Sequence, residues 1–212
     1  MNMISVKNVV KRFSEGIALN NVSVEFEKGM IHGLIGRNGS GKTVLLKCIC
    51  GFMYPDEGTI SVDGKIIGKD VDMPRNVGVI IETPGFLPNY SGIKNLLFLA
   101  KIQNRISKAE VANAMHEVGL DPKSKKHVGH YSMGMRQRLG IAQALMESPS
   151  LLILDEPLNG LDNRGVQEIR NVLLELKAEG KTILLASHNS EDISILCDTV
   201  HQMDGGNIKK IR

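Results

Sequence analysis

The segment Gly36-Arg37-Asn38-Gly39-Ser40-Gly41-Lys42-Thr43 restricts what this chain can fold into more than any other. It fits the phosphate-binding pattern of Gly, four free positions, Gly, Lys and a hydroxyl residue. Its neighbours suit it: residues 30–35 are a short apolar run of strand type, and residues 44–50 suit a helix that stops at Gly51. Gly36, Gly39 and Gly41 let the backbone turn tightly with its N–H groups inward, around Asn38 and Ser40, and the new helix adds the positive end of its dipole. Lys42 then sets a cation between the β- and γ-phosphates, and the Thr43 hydroxyl becomes a ligand for Mg2+. The competing reading is a glycine-rich surface turn before an ordinary helix. With 22 glycines in 212 residues, the fixed positions would match by chance in roughly one such chain in a hundred. The flanking strand and helix lower that figure, so a nucleoside triphosphate is the expected ligand.

A chain of 212 residues can bury a full core, as one domain or with a subdomain inserted. A net charge of +3 is too small to imply a nucleic-acid partner. No apolar run approaches the roughly 20 residues that span a bilayer, and residues 1–10 lack the apolar centre of a secretion leader, which predicts a cytosolic chain. Cys48 and Cys50, two apart on a predicted helix, point in different directions, and Cys197 stands alone. All three read as small buried residues of a reducing compartment rather than a disulfide or metal site.

Residues 3–9 and 22–26 alternate apolar and polar side chains and are predicted strands. Between them lies Phe13, which either stacks on adenine or packs on its own sheet edge. Strands over 59–62 and 65–67 flank Asp63-Gly64, a favoured two-residue hairpin pair. A further strand over 77–81 is broken by Glu82-Thr83-Pro84-Gly85, leaving the Glu82 carboxylate where ligands collect in α/β sheets. Helical spacing then takes over from Ser91 to about Ser148, and Ser132 can cap a helix running through Arg138 to Met146. Arg136 and Arg138 read as its solvated face. The apolar strand 151–154 leads into Asp155 and Glu156, two acids at a strand mouth that call for a cation. An amphipathic helix ending at Gly180, a strand over 182–186 followed by Ser187-His188, and a hairpin around residues 204–207 complete the chain.

Taken together and in this order, the phosphate loop, the helical insertion, Tyr131 to Gln137, Asp155-Glu156, Asn159-Gly160-Leu161-Asp162 and Ser187-His188 resemble the ATPase domains of ATP-binding cassette (ABC) transporters across essentially the whole chain. The resemblance implies an α/β fold of phosphate-loop NTPase type: a mixed central sheet, an antiparallel β subdomain and an inserted helical subdomain. The core and β subdomain would take residues 1–87 and 149–212, and the helical subdomain residues 88–148. It implies further that Lys42 and Thr43 act on ATP and Mg2+, that Asp155 holds Mg2+, that Glu156 polarises the attacking water, and that His188 contacts the γ-phosphate. Ser132 and Gly134, with Met135 beside them, match the signature positions that bind ATP held by a second subunit, and Asp162 matches the loop linking the two subunits. A helix tip with a hydroxyl and a glycine is an anion site, but the insertion is expected to keep it off its own phosphate loop, so a second ATPase chain, identical or homologous, would complete each site.

The departures from the common pattern are Tyr131, Met133 and Met135, where Leu, Gly and Gln are usual, and Glu82, where Gln is usual. Glu82 as an added Mg2+ ligand, with a signature of Ser-x-Gly-Met type, resembles the ATPases of bacitracin and lantibiotic self-protection exporters. Separate membrane permease subunits are then expected, with the ATPase peripheral at the inner face of the cell membrane. One alternative is a superfamily ATPase acting on DNA or ribosomes, whose usual coiled coils or paired cassettes are not visible here. Another is a phosphate-loop kinase or GTPase, which would not need Ser132 to Gln137. His188 alone would read as structural, and His32, His116, His127, His130 and His201 keep that reading.

Overall fold

The computed structural model describes residues 1–82 and 84–212. Thr83, in the predicted strand break, lies outside the described residues. Strands β1 (Asn2–Phe13) and β2 (Gly16–Glu27) form a long antiparallel hairpin that closes with Phe13 opposite Gly16. They run well past the predicted 3–9 and 22–26. The sequence pattern stops where the register shifts between Val6 and Val9, because Asn8 and Asn21 take left-handed backbone angles (φ 50° and 52°) and interrupt the alternation. Beyond the bulge the strand stays pinned, with the Lys11 ammonium and the Arg12 amide both bonded to Asp56.

After β3 (Ile31–Ile35), the phosphate loop and helix α1 (Lys42–Ile49), the chain returns as β4 (Glu57–Val62) against β1 and β5 (Lys65–Ile66) against β4. The tight turn between them has positive φ at both Asp63 (47°) and Gly64 (77°), as that hairpin type requires. This gives an antiparallel sheet of order β2-β1-β4-β5.

The second sheet adds β6 (Val77–Ile80), β7 (Leu151–Asp155), β8 (Thr182–Ala186), β9 (Thr199–Asp204) and β10 (Asn207–Lys210). Its order is β10-β9-β3-β8-β7-β6, parallel throughout except for β10. Both faces of its central strands are covered, which is why β7 and β8 read as nearly unbroken apolar runs. Leu152, Leu154, Ile183 and Leu185 face α2 (Gly92–Gln103), α3 (Lys108–Glu117), α4 (Met133–Leu145) and α5 (Asn163–Ala178). Leu151, Ile153, Leu184 and Ala186 face α1 and the long hairpin.

Helix α6 (Ser190–Leu196) is not foreseen by the sequence pattern, since seven residues give no readable period. It is fastened to α5 by Arg170, 2% exposed, whose guanidinium reaches Asp192 through Nε (2.9 Å) and Nη2 (2.5 Å) and Glu191 through Nη1 (3.3 Å). All three cysteines are free and buried. Burial pushes the Cys48 thiol up to about 11 and those of Cys50 and Cys197 up to about 12.

Candidate nucleotide site

The parallel strands β3, β7 and β8 end side by side, and each delivers a predicted site residue at its carboxyl end: the phosphate loop after β3, Asp155 and Glu156 at β7, His188 after β8. A cavity of about 500 Å³ opens there, walled by residues 38–44, Glu82, Asp155 and Glu156, with Ala18 of β2. Gly41 caps α1 at φ 104°, a conformation open to glycine, and its carbonyl receives the Leu45 amide at 2.9 Å. The Lys42 ammonium folds into the loop and donates to the carbonyls of Gly36 (2.7 Å) and Arg37 (3.2 Å). Lys42 is 7% exposed and has no carboxylate partner among the described residues. A buried, unpaired cation is costly unless an anion joins it.

Across the cavity floor the Thr43 hydroxyl donates to Asp155 Oδ2 at 2.8 Å. Glu156 sits at φ 51°, a left-handed backbone that costs on the order of 1–3 kcal/mol in a non-glycine residue and persists where surroundings enforce it. Its amide donates to the Ala186 carbonyl (2.9 Å). Its carboxylate accepts from the His188 amide (3.1 Å) and lies 2.8 Å from His188 Nδ1. A carboxylate can only accept, so Nδ1 carries the proton and Nε2 is left for another partner. Glu82, also left-handed at φ 63°, lines the cavity but is paired with Lys47 of α1 at 2.6 Å.

Phe13 stands outside this lining; it is 45% exposed at the end of β1, with the Lys11 ammonium 5.7 Å from its ring centre. Ser132 caps α4 by accepting from the Met135 amide (3.2 Å) and does not line the cavity. The insertion nevertheless brings α4 closer to its own phosphate loop than expected, since Met133 and Gln137 share the cavity wall. The reason is packing: a Cβ on Gly134 would stand 3.0 Å from the Gly160 carbonyl oxygen, so α4 rests on the loop that follows Glu156. Asp162 caps α5, accepting from the Gly165 amide at 2.9 Å.

Sequence reasoning misses two residues of α4. Arg138 is not on a solvated face; its side chain is 14% exposed, donates to the Val118 carbonyl (2.5 Å) and pairs with Glu168 (2.7 Å). Gln137 donates to the carbonyls of Glu156 and Pro157. The sequence places it at the end of the Tyr131 to Gln137 segment and one turn after Met133 on the same helix face, without pointing to these partners.

An ammonium folded onto two carbonyls of a glycine-rich loop between a strand and a helix, at the mouth of a parallel sheet, defines a phosphate-loop nucleotide-binding protein. Comparison with known proteins narrows the class. Residues 19–159 match the family model described as ABC transporter, and the chain belongs to that family as an ATP-binding ATPase domain. It is 42% identical over 98% of its length, and 95% of the relative's, to YybJ, an uncharacterized ABC transporter ATP-binding protein of Bacillus subtilis (strain 168). It is 41% identical to the bacitracin transport ATP-binding protein BcrA of Enterococcus faecalis, over 97% of this chain and 68% of BcrA. A solved ATP-binding subunit of an ABC transporter superimposes with a TM-score of 0.87 at 29% identity, over 99% of this chain and 89% of that one. Among the described residues no helix is long and apolar enough to cross a membrane.

Proposed function

We infer that the chain is the ATP-hydrolysing subunit of an exporter for peptide antibiotics of the bacitracin kind, working as a dimer of ATPase chains at the inner face of the cell membrane beneath separate permease subunits. The buried, unpaired Lys42 carries the nucleotide reading: its charge needs the phosphates that the loop amides are arranged to receive. Glu156 takes the proton from the attacking water, and His188, with both ring nitrogens bearing protons, donates through Nδ1 to Glu156 and through Nε2 to the γ-phosphate, whose oxygens only accept. Thr43 and Asp155 present hard oxygens 2.8 Å apart, a donor set that fits Mg2+, with Glu82 as a further ligand once released from Lys47. Bound there, Mg2+ supplies neutralising charge on the phosphates. Gly36, Asn38, Gly39, Ser40 and Gly41 supply the cradle. Ser132 and Gly134 serve the ATP of the facing subunit, a reading supported by the absence of Ser132 from the cavity of its own chain. The relationship to BcrA supports the cargo class.

Glu156→Gln tests the core of this reading. Hydrolysis should fall by at least about 100-fold, the usual scale for losing a general base, while ATP still drives dimers on gel filtration. Hydrolysis at the unmodified rate would remove Glu156 from its role.

A further inference from the structure

Helix α4 does more than present its first turn. The side-chain amide of Gln137 donates to two successive carbonyls, of Glu156 at 3.3 Å and of Pro157 at 2.9 Å. These belong to the residue proposed to activate water and to the one after it. The same loop meets α4 again further on, where the position a Gly160 Cβ would take lies 2.7 Å from Met133 Cγ and the Gly134 backbone approaches the Gly160 carbonyl. One position beyond Gln137, Arg138 ties α4 to Glu168 of α5 at 2.7 Å. Helix and loop therefore touch without slack at both ends of the 156–161 segment.

Glu156 needs such holding. Its left-handed backbone is maintained by contacts rather than by its own preference, and its carbonyl accepts from the Asn159 amide (3.2 Å) as well as from Gln137. The Asn159 bond lies within the loop and moves with it. Among the described residues, Gln137 is the side chain that ties the Glu156 carbonyl to another element.

We propose that Gln137 is a positioning residue for Glu156, strapping the catalytic loop to α4 so that engagement of the α4 tip by the facing subunit's ATP is transmitted to the carboxylate of the same chain. The proposal rests on the reading above of Glu156 as the water-activating group and of Ser132 as the group offered in trans. Each α4 then touches one ATP with its tip and sets the carboxylate for the other with Gln137. The two sites of a dimer are coupled through the helix, and each ATP bound prepares the neighbouring site for hydrolysis.

Gln137→Met keeps roughly the side chain's length and volume and removes the carboxamide, and with it the donor to both carbonyls. In the full chain, kcat should fall about tenfold with KM within about twofold, the split expected when an interaction specific to the transition state is lost. The Hill coefficient should drop toward one, and hydrogen exchange at the Glu156 and Asn159 amides, measured without nucleotide, should quicken. Gln137→Glu, which turns the donor into an acceptor facing two carbonyls, should show the same pattern more strongly, and serves if the Met variant folds poorly. Unchanged kcat, unchanged exchange in the loop, or a KM that rises in step with falling kcat would overturn the proposal. Glu156→Gln run alongside separates the two failures. If it hydrolyses ATP at full rate, the reading of Glu156 is wrong; if it is inactive while the Gln137 variants behave as the unmodified chain, only the strap is wrong.

Discussion

Phe26 touches two histidine rings edge to face, His32 at 5.2 Å and His201 at 5.1 Å between centroids, and the two imidazoles lie 6.5 Å from each other. His32 finds partners in Thr199 and the Glu27 carbonyl, but His201 Nδ1 has none among the described residues. Burial, and then the charges of His32 and Lys210, bring His201 down to about 4, and burial lowers His32 as well. The sign follows directly. The unfolded chain takes up the His201 proton near pH 6.5 and the folded chain only near 4, so in that interval the unfolded state binds more protons and stability falls as pH falls. By pH 4 the loss from His201 alone reaches roughly 3 kcal/mol. Thermal melts should show the midpoint declining from pH 6.5 to 4.5, and His201→Leu should flatten that decline; an equally steep decline in the variant would exonerate His201. At this scale the sequence is uneven. Lys42, Thr43, Asp155, Glu156 and His188 announce themselves by type and spacing, whereas Gln137 and Arg138 act on partners 19 to 30 residues away that only the fold brings near.

Elements are legible where both sheet faces are buried. The apolar runs of β3, β7 and β8 leave little choice of assignment, and Asp63-Gly64 fixes its hairpin by turn chemistry. They are less legible where backbone irregularity or shortness hides the period, as at the Asn8 and Asn21 bulge and in α6. Helix α6 follows directly on His188 and Asn189, its cap, so what secures α6 also secures the histidine. That anchor is Arg170 with Asp192, an ion pair in which both side chains are nearly fully buried. Arg170→Met would strand Asp192 without its cation, and urea denaturation should register a loss of about 3–5 kcal/mol. Adding Asp192→Leu should recover most of it, because an apolar pair replaces a broken ionic one. A double variant no more stable than the single one would show that the pair does more than satisfy its own charges.

For the molecule as a whole, the proposed arrangement makes each ATP site a joint product of two chains, and this can be tested by mixing. Ser132→Arg should block the tip that a chain lends its partner, and Glu156→Gln should silence the site a chain builds for itself. Each variant alone should be inactive. In a mixed dimer one site joins the intact Glu156 of the first chain to the intact Ser132 of the second, so mixing at random should restore about a quarter of normal turnover if the sites act independently, and about a tenth of that if the first chain's blocked tip no longer sets its own Glu156 through Gln137. Mixtures as inactive as their components would mean that the sites are not shared. The family is legible in the sequence from the order of its motifs, while the closeness of α4 to the cavity is not, since it depends on small backbone contacts at Gly134 and Gly160. One practical consequence lies in Cys48, Cys50 and Cys197, sealed inside the fold and poorly ionised. Maleimide dyes attack thiolates within reach of solvent, so the native chain should stay unlabelled, and a single cysteine engineered on its exterior should carry the fluorophore. The opening and closing of the pair could then be followed by energy transfer without first stripping the protein of its own sulfur.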